Sequence, residues 1–229
     1  MHFPSMIAVP LALAVAAPSP APLLAPNDLV SAQVLPPPPA SGSAQARTER
    51  AELAAMDRNR TAAELAAAKS DSETKDASIF RDAIGPGFQL ARLPQTALLM
   101  TMVRGTEKAA ADRAKGYFKR PRPWIASPEI GACSRNDEPL SSYPSGHTTM
   151  AYSMGAILSR LIPARASAIM ARAARYGESR IVCEVHYRSD VTAGEALGLI
   201  VAERLMAKPS FRAQFDRARG ELVRAGITA

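Results

Sequence analysis

Apolar and polar positions in this chain recur at the spacing of helices, and no run of period-two alternation marks a strand. From residue 48 to about 68, Ala and Leu alternate with Glu and Arg at helical intervals, which predicts one helix. The polar residues from Ser70 to Lys75 read as a connection. A second helical stretch runs from about Ile79 to Lys115, with a break predicted at Gly85-Pro86-Gly87. Residues 120–142, rich in Pro, Gly and Ser, read as a long loop, and a loop of that length inside a domain is usually functional. Helical patterning resumes at about 145–161, stopped by Pro163, and at 164–176, stopped by Gly177. Two more helices are predicted over 190–206 and 209–224. With no repeat and no strand, the fold class is all-α: a single compact helical domain over residues 46–229.

Composition supports that reading and adds a leader. Hydrophobic residues make up 47% of 229, enough for one core, while Phe, Tyr and Trp make up only 5%. An Ala-rich chain poor in aromatic and β-branched runs favours helices. No Asp, Glu, Lys or Arg precedes Asp28, and Met6 to Ala17 is an apolar run ending in small residues. That run predicts a signal peptide over 1–17, atypical in having no Lys or Arg ahead of it, and it is too short to span a membrane. A Pro-rich arm over 18–45 follows, expected to be extended because Pro cannot sit in a helix interior. No later segment reaches spanning length without a charge, so export to a periplasmic or secreted location without membrane insertion is expected. Cys133 and Cys183 are the only cysteines, and in an oxidising compartment they are expected to pair. The bridge would close a loop of about 50 residues, worth about 4 kcal/mol on the chain-entropy model.

The formal charge of +7 suits anionic partners but does not choose among them. Three clusters do more. Lys115 is followed after six residues by Arg122-Pro123, an ammonium and a guanidinium able to hold different oxygens of one phosphoryl group. Tyr143-Pro144-Ser145-Gly146-His147-Thr148 opens an apolar-periodic segment. There Ser145 is a good N-cap, Gly146 allows close approach to backbone amides, and the helix start is an anion site facing His147. Ser179-Arg180 precedes His186 by five further residues, and Asp190 lies four beyond His186. If that spacing is helical, the two share a face, and Asp190 accepts from Nδ1 and leaves Nε2 as nucleophile or base. Taken singly, each cluster also reads as ordinary structure: a solvated helix end, a capped helix, or a core histidine beside a capping Asp. Together they use both histidines beyond the leader and supply the clamp, the acid and the oriented nucleophile of phosphoryl transfer.

These clusters resemble the signature of the bacterial class A non-specific acid phosphatases, within the larger group of type 2 phosphatidic acid phosphatases and vanadium haloperoxidases. The pattern is Lys-x6-Arg-Pro, Pro-Ser-Gly-His and Ser-Arg-x5-His-x3-Asp, complete here at Lys115/Arg122-Pro123, Pro144–His147 and Ser179-Arg180/His186/Asp190. Leu35 to Pro39, Ser142-Tyr143, Cys183 and Pro209-Ser210-Phe211 are also similar, so the resemblance runs from about Leu35 to the C-terminus. Ser141, Trp124 and Tyr187 depart from the family pattern, and Trp124 and Tyr187 are expected to reshape the substrate entrance.

The resemblance implies that His186 attacks phosphorus, Asp190 fixes its tautomer, and His147 acts as acid and then base. Lys115, Arg122, Arg180, Ser145 and Gly146 would bind the phosphate oxygens. It implies phosphate monoesters as substrates, inorganic phosphate as product, no metal and no cofactor, no specific nucleic acid, and a homo-oligomer. A vanadium-dependent haloperoxidase is the nearest alternative, and vanadate separates the two by inhibiting one and activating the other. A membrane-embedded lipid phosphatase is disfavoured by the lack of spanning segments. A non-enzymatic polyanion-binding protein would need the cations but not the His186–Asp190 spacing.

Overall fold

The computed structural model describes residues 21–227, so the expected signal peptide lies outside the described residues. Among them there are ten α-helices and no strand: α1 (Ser31–Val34), α2 (Ala44–Asn59), α3 (Ala62–Glu73), α4 (Arg81–Ile84), α5 (Pro94–Phe118), α6 (Pro123–Ala126), α7 (Gly146–Leu161), α8 (Ala166–Val182), α9 (Arg188–Met206) and α10 (Pro209–Arg224). The all-α expectation holds.

Helix α7 is the axis of the bundle, packed by α5, α8 and α9, with α10 closing the far side of α5. Met150, Met154, Ile157 and Leu158 of α7 are buried against Leu197, Val201 and Leu205 of α9 and Leu99 and Val103 of α5. Two glycines set the α7–α9 distance. A Cβ on Gly194 would lie 2.7 Å from the Ser145 carbonyl oxygen, and one on Gly198 would lie 2.7 Å from that of Thr149. Both are backbone atoms that cannot swing away, so the Gly-x3-Gly stripe lets α9 seat directly on the first turns of α7. That contact brings the start of α9 to the start of α7, where the chemistry gathers.

Several boundaries differ from the pattern-based expectation, each for a local reason. The helix expected over 48–68 is two helices. Arg60 is extended, and Thr61 restarts the chain with a capping box in which its side chain accepts from the Glu64 amide and Glu64 accepts from its own. The expected polar connection at Ser70 to Glu73 is the last turn of α3, held in helix because Asp71 and Ser72 pair with α8. Helix α8 does not stop at Gly177 but runs on to Val182. That glycine instead makes room, since a Cβ there would sit 3.3 Å from both Thr148 and Val191. The break near Gly85 is present, with φ of 130° at Gly85, and α5 starts only at Pro94. The 120–142 loop is present, interrupted by α6.

The Pro-rich arm lies on the domain. Two single turns, Pro26–Asp28 and α1, precede the Pro run, and Leu24, Leu29 and Leu35 enter the main core. Ser31 donates to the Ala110 carbonyl, and the Tyr143 hydroxyl donates to that of Pro36 at 2.5 Å.

Candidate active site

The residues singled out in the sequence converge where α5 ends and α7 and α9 begin. Lys115 lies in the last turn of α5, Arg122 caps α6, Ser145 caps α7, Arg180 ends α8, and His186 sits in the turn before α9. Arg122, Arg180, His186, Asp190 and Ser145 are all at most 3% exposed. Of these, Arg122 lines a cleft of about 210 Å³ together with Lys115, Gly146 and His147, with Lys75 and α5 forming its outer walls.

The hydrogen bonds of His186 assign its tautomer. Arg122 Nη1 lies 2.9 Å from His186 Nε2 and also donates to the Val185 carbonyl. A guanidinium has donors only, so Nε2 accepts and carries the lone pair, and the ring proton resides on Nδ1. Nδ1 faces Asp190 Oδ2 at 3.4 Å, long for a hydrogen bond. The sequence offered two readings of Asp190, a helix cap or the partner of His186; its carboxylate takes the cap position and faces Nδ1 without a hydrogen bond between them. His186 is outside α9, so the four-residue spacing is not helical. Asp190 is the third residue of α9, where Oδ2 accepts from the Tyr187 amide at 2.8 Å and from the Ser142 hydroxyl at 2.6 Å. Its other oxygen accepts from Arg120 at 2.7 Å. Two donors thus hold the oxygen that faces Nδ1, and Arg120 holds the other.

Burial and neighbouring cations act together on the titrating groups. Burial first, then Arg122, Arg180 and Lys115, hold His186 well below the usual imidazole range. Burial, then Arg180 and His186, do the same to His147, whose Nε2 lies 3.2 Å from the Ser72 carbonyl oxygen and is opposed only by that contact. Burial and Arg122 push Lys115 down to about 8. Burial also lowers Arg180, to about 10. The three cations compete with one another and lack enough anions, which is the state an anionic ligand relieves.

Backbone geometry completes the anion site. Ser145 accepts from the Thr148 amide and hydroxyl, and its own amide donates to the Asp190 carbonyl at 2.9 Å, joining α7 to α9. A Cβ on Gly146 would lie 3.3 Å from Lys115 Nζ, so the missing side chain lets the ammonium approach the helix start.

Other residues of the site carried no sequence signal of their own. Ser72 on α3 accepts from Arg180 at 2.5 Å, while Asp71 holds Ser179 and Arg172. Arg120 bridges Asp190 to Glu49 of α2 at 2.7 Å each. Glu107 of α5 is wholly buried at the cleft wall. Ser141 accepts from Arg122 Nη2 at 3.2 Å, giving this departure from the family pattern a partner role. Trp124 and Tyr187 do not shape the entrance. Both are buried, Trp124 with its ring 5.5 Å from the Arg122 guanidinium and Tyr187 with its ring 4.2 Å from that of Arg120. Cys133 and Cys183 form a disulfide with Cα atoms 4.9 Å apart, tying the long loop to the end of α8.

Comparison with known proteins places the chain in a family. Residues 96–213 match the family model described as the PAP2 superfamily. An acid phosphatase of Zymomonas mobilis is 34% identical over 201 residues, which are 85% of this chain and 76% of that protein. A non-specific acid phosphatase of Providencia stuartii is 30% identical over 202 residues, covering 85% of this chain and 81% of its own. A crystal structure of a transmembrane PAP2-type phosphatidylglycerolphosphate phosphatase from Bacillus subtilis has the same fold, with a TM-score of 0.56 and 19% identity over 77% of this chain and 88% of that one. The chain belongs to the PAP2 superfamily, and within it is an enzyme of the acid phosphatase kind. No described helix is long and apolar enough to cross a membrane.

Proposed function

We propose that this enzyme hydrolyses phosphate monoesters through a phosphohistidine formed on His186, without a metal ion. The observation that carries the reading is the Nε2 acceptor of His186, buried between Arg122, Arg180 and Lys115. Nε2 attacks phosphorus in line, forming the P–N bond as the P–O ester bond breaks. Lys115, Arg122, Arg180, the Ser145 hydroxyl and the Gly146 amide neutralise the equatorial oxygens, supplying the positive charge that a metal provides in other phosphatases. Asp190 keeps the proton on Nδ1 and stabilises the imidazolium-like intermediate. Protonated His147 gives its proton to the leaving alkoxide. It then takes one from water, whose oxygen attacks phosphorus, breaks the P–N bond and releases inorganic phosphate.

The pH dependence follows from the same charges. His186 must be unprotonated, and its depressed pKa keeps it so in acid. His147 must be protonated, and the field of Arg180 and His186 opposes this. A phosphate dianion among these cations offsets most of that field and raises His147, so turnover is strongest in acid and falls as His147 loses its proton. Lys115 adds a second limb: above about 8 it loses its charge and KM rises. The disulfide fits an oxidising compartment, which supports a periplasmic or secreted location.

The test is hydrolysis of p-nitrophenyl phosphate across acid and neutral pH with EDTA, comparing wild type with His186→Ala. Chelator-resistant turnover, strongest in acid and abolished by the substitution, is expected. Turnover that survives in the variant overturns the nucleophile assignment, and loss with EDTA overturns the metal-free reading. Vanadate is expected to inhibit.

A further inference from the structure

Lys115, Arg122, Gly146 and His147 take up only the inner end of the cleft. Arg104, Glu107, Lys108, Ala111, Asp112 and Lys115 follow one face of α5 at helical spacing and all line it. Arg104 and Lys115 are eleven positions apart, about 16 Å along the helix axis. The outer end carries three cations from two elements. Arg104 and Lys108 come from α5, and Lys75 from the segment after α3, close enough to His147 to add to its depression. Lys75 makes no ion pair among the described residues, and Lys108 is 60% exposed in its pairing with Asp112. Between them, Glu107 is 0% exposed and pairs with Arg104 through one oxygen, while the other has no hydrogen-bond partner.

Resting on the reading of the inner end as the phosphoryl site, we propose that this outer end is a leaving-group subsite for a second phosphoryl group, so that bisphosphate esters are preferred substrates. A guanidinium and two ammonium groups spread over two walls match a dianion with several acceptor oxygens better than a single carboxylate. The buried, unpartnered oxygen of Glu107 lies beneath this end, and protonation removes the charge that would oppose a second phosphate. Burial raises this carboxyl to about 7 against the pull of Arg104, so it is neutral under acid conditions. Near neutrality, its ionised form repels the second phosphate.

The experiment compares kcat/KM for fructose 1,6-bisphosphate with that for fructose 6-phosphate, as a ratio that cancels general damage to the site. Wild type at acid pH is expected to favour the bisphosphate. Lys75→Ala with Lys108→Ala is expected to cut the ratio about tenfold, more at low than at high salt. Glu107→Gln, assayed just above neutrality, is expected to raise the ratio about threefold by removing the repelling charge. Opposite shifts from cation and carboxylate changes are not produced by misfolding. A ratio near one in wild type, or one that neither substitution moves while p-nitrophenyl phosphate is still hydrolysed, overturns the subsite alone. Absence of p-nitrophenyl phosphate hydrolysis in wild type overturns both this inference and the phosphatase reading beneath it.

Discussion

The two ends of the cleft are built differently. Around His186 the groups come from the start of α7, the end of α8 and the start of α9, and Arg122, Arg180, Asp190 and Ser145 are buried with partners on several sides. Around Arg104 the groups sit on the flank of one helix and an adjoining segment. There Lys108 and Asp112 are roughly half exposed, and the pairings, Lys108 with Asp112 and Arg104 with Glu107, are with near neighbours in sequence. Around His186 the side chains are locked in place without a ligand, as preorganisation demands. Around Lys108 and Asp112, solvated charges adjust at little cost.

This contrast can be broken from either end. His186→Ala is expected to lower kcat/KM by at least about 10⁴-fold for every ester, read by steady-state kinetics. Arg120→Met leaves Asp190 and Glu49 as unpaired buried carboxylates, and a loss of about 3–5 kcal/mol is expected in denaturant unfolding. His147→Ala is expected to cost about 10²–10⁴-fold for alkyl phosphates and far less for p-nitrophenyl phosphate, whose leaving group needs little help from an acid. Replacing Cys133 and Cys183 together with Ser is expected to lower stability by about 2–4 kcal/mol, by freeing the loop that carries Arg122 from the end of α8.

The smallest effect belongs to the outer end. Glu107 holds its proton up to about 7 in the folded state against 4.5 ordinarily, so the folded form binds more protons between those values. Stability from that group is therefore lost as pH rises toward and through 7. Glu107→Gln cannot ionise, and it is expected to flatten the fall in Tm between about pH 5 and 8, by the equivalent of about 2 kcal/mol at most.

What the sequence made legible follows the same division. The all-α class, α7, α9 and α10, and the meeting of Lys115, Arg122, Ser145, Gly146, His147, Arg180, His186 and Asp190 were readable because short motifs carry their own caps, turns and charges. The split at Arg60 was also written in the chain, as Thr61 and Glu64 of a capping box, but the apolar spacing on both sides masked it. The run of α8 through Gly177 was not readable, because a glycine that ends a helix and one that admits a neighbour look alike until Thr148 and Val191 are in place. The roles of Ser72, Glu49 and Glu107 depend on contacts with residues 108, 71 and 3 positions away, and the two long ones have no local signature. Trp124 and Tyr187 were misplaced for a related reason: next to a catalytic motif in sequence, they point under the arginines and away from the cleft.

The central claim is that phosphorus is passed to His186. The most direct measurement is to mix enzyme with substrate, quench in alkali, where phosphohistidine survives, and find the phosphorylated peptide by mass spectrometry. The account predicts one added phosphoryl group on the peptide containing His186, accumulating in His147→Ala when the substrate has a good leaving group, because water then lacks its base. A phosphoryl group on another residue, or product formation in step with substrate loss and no phosphopeptide in either protein, would contradict it.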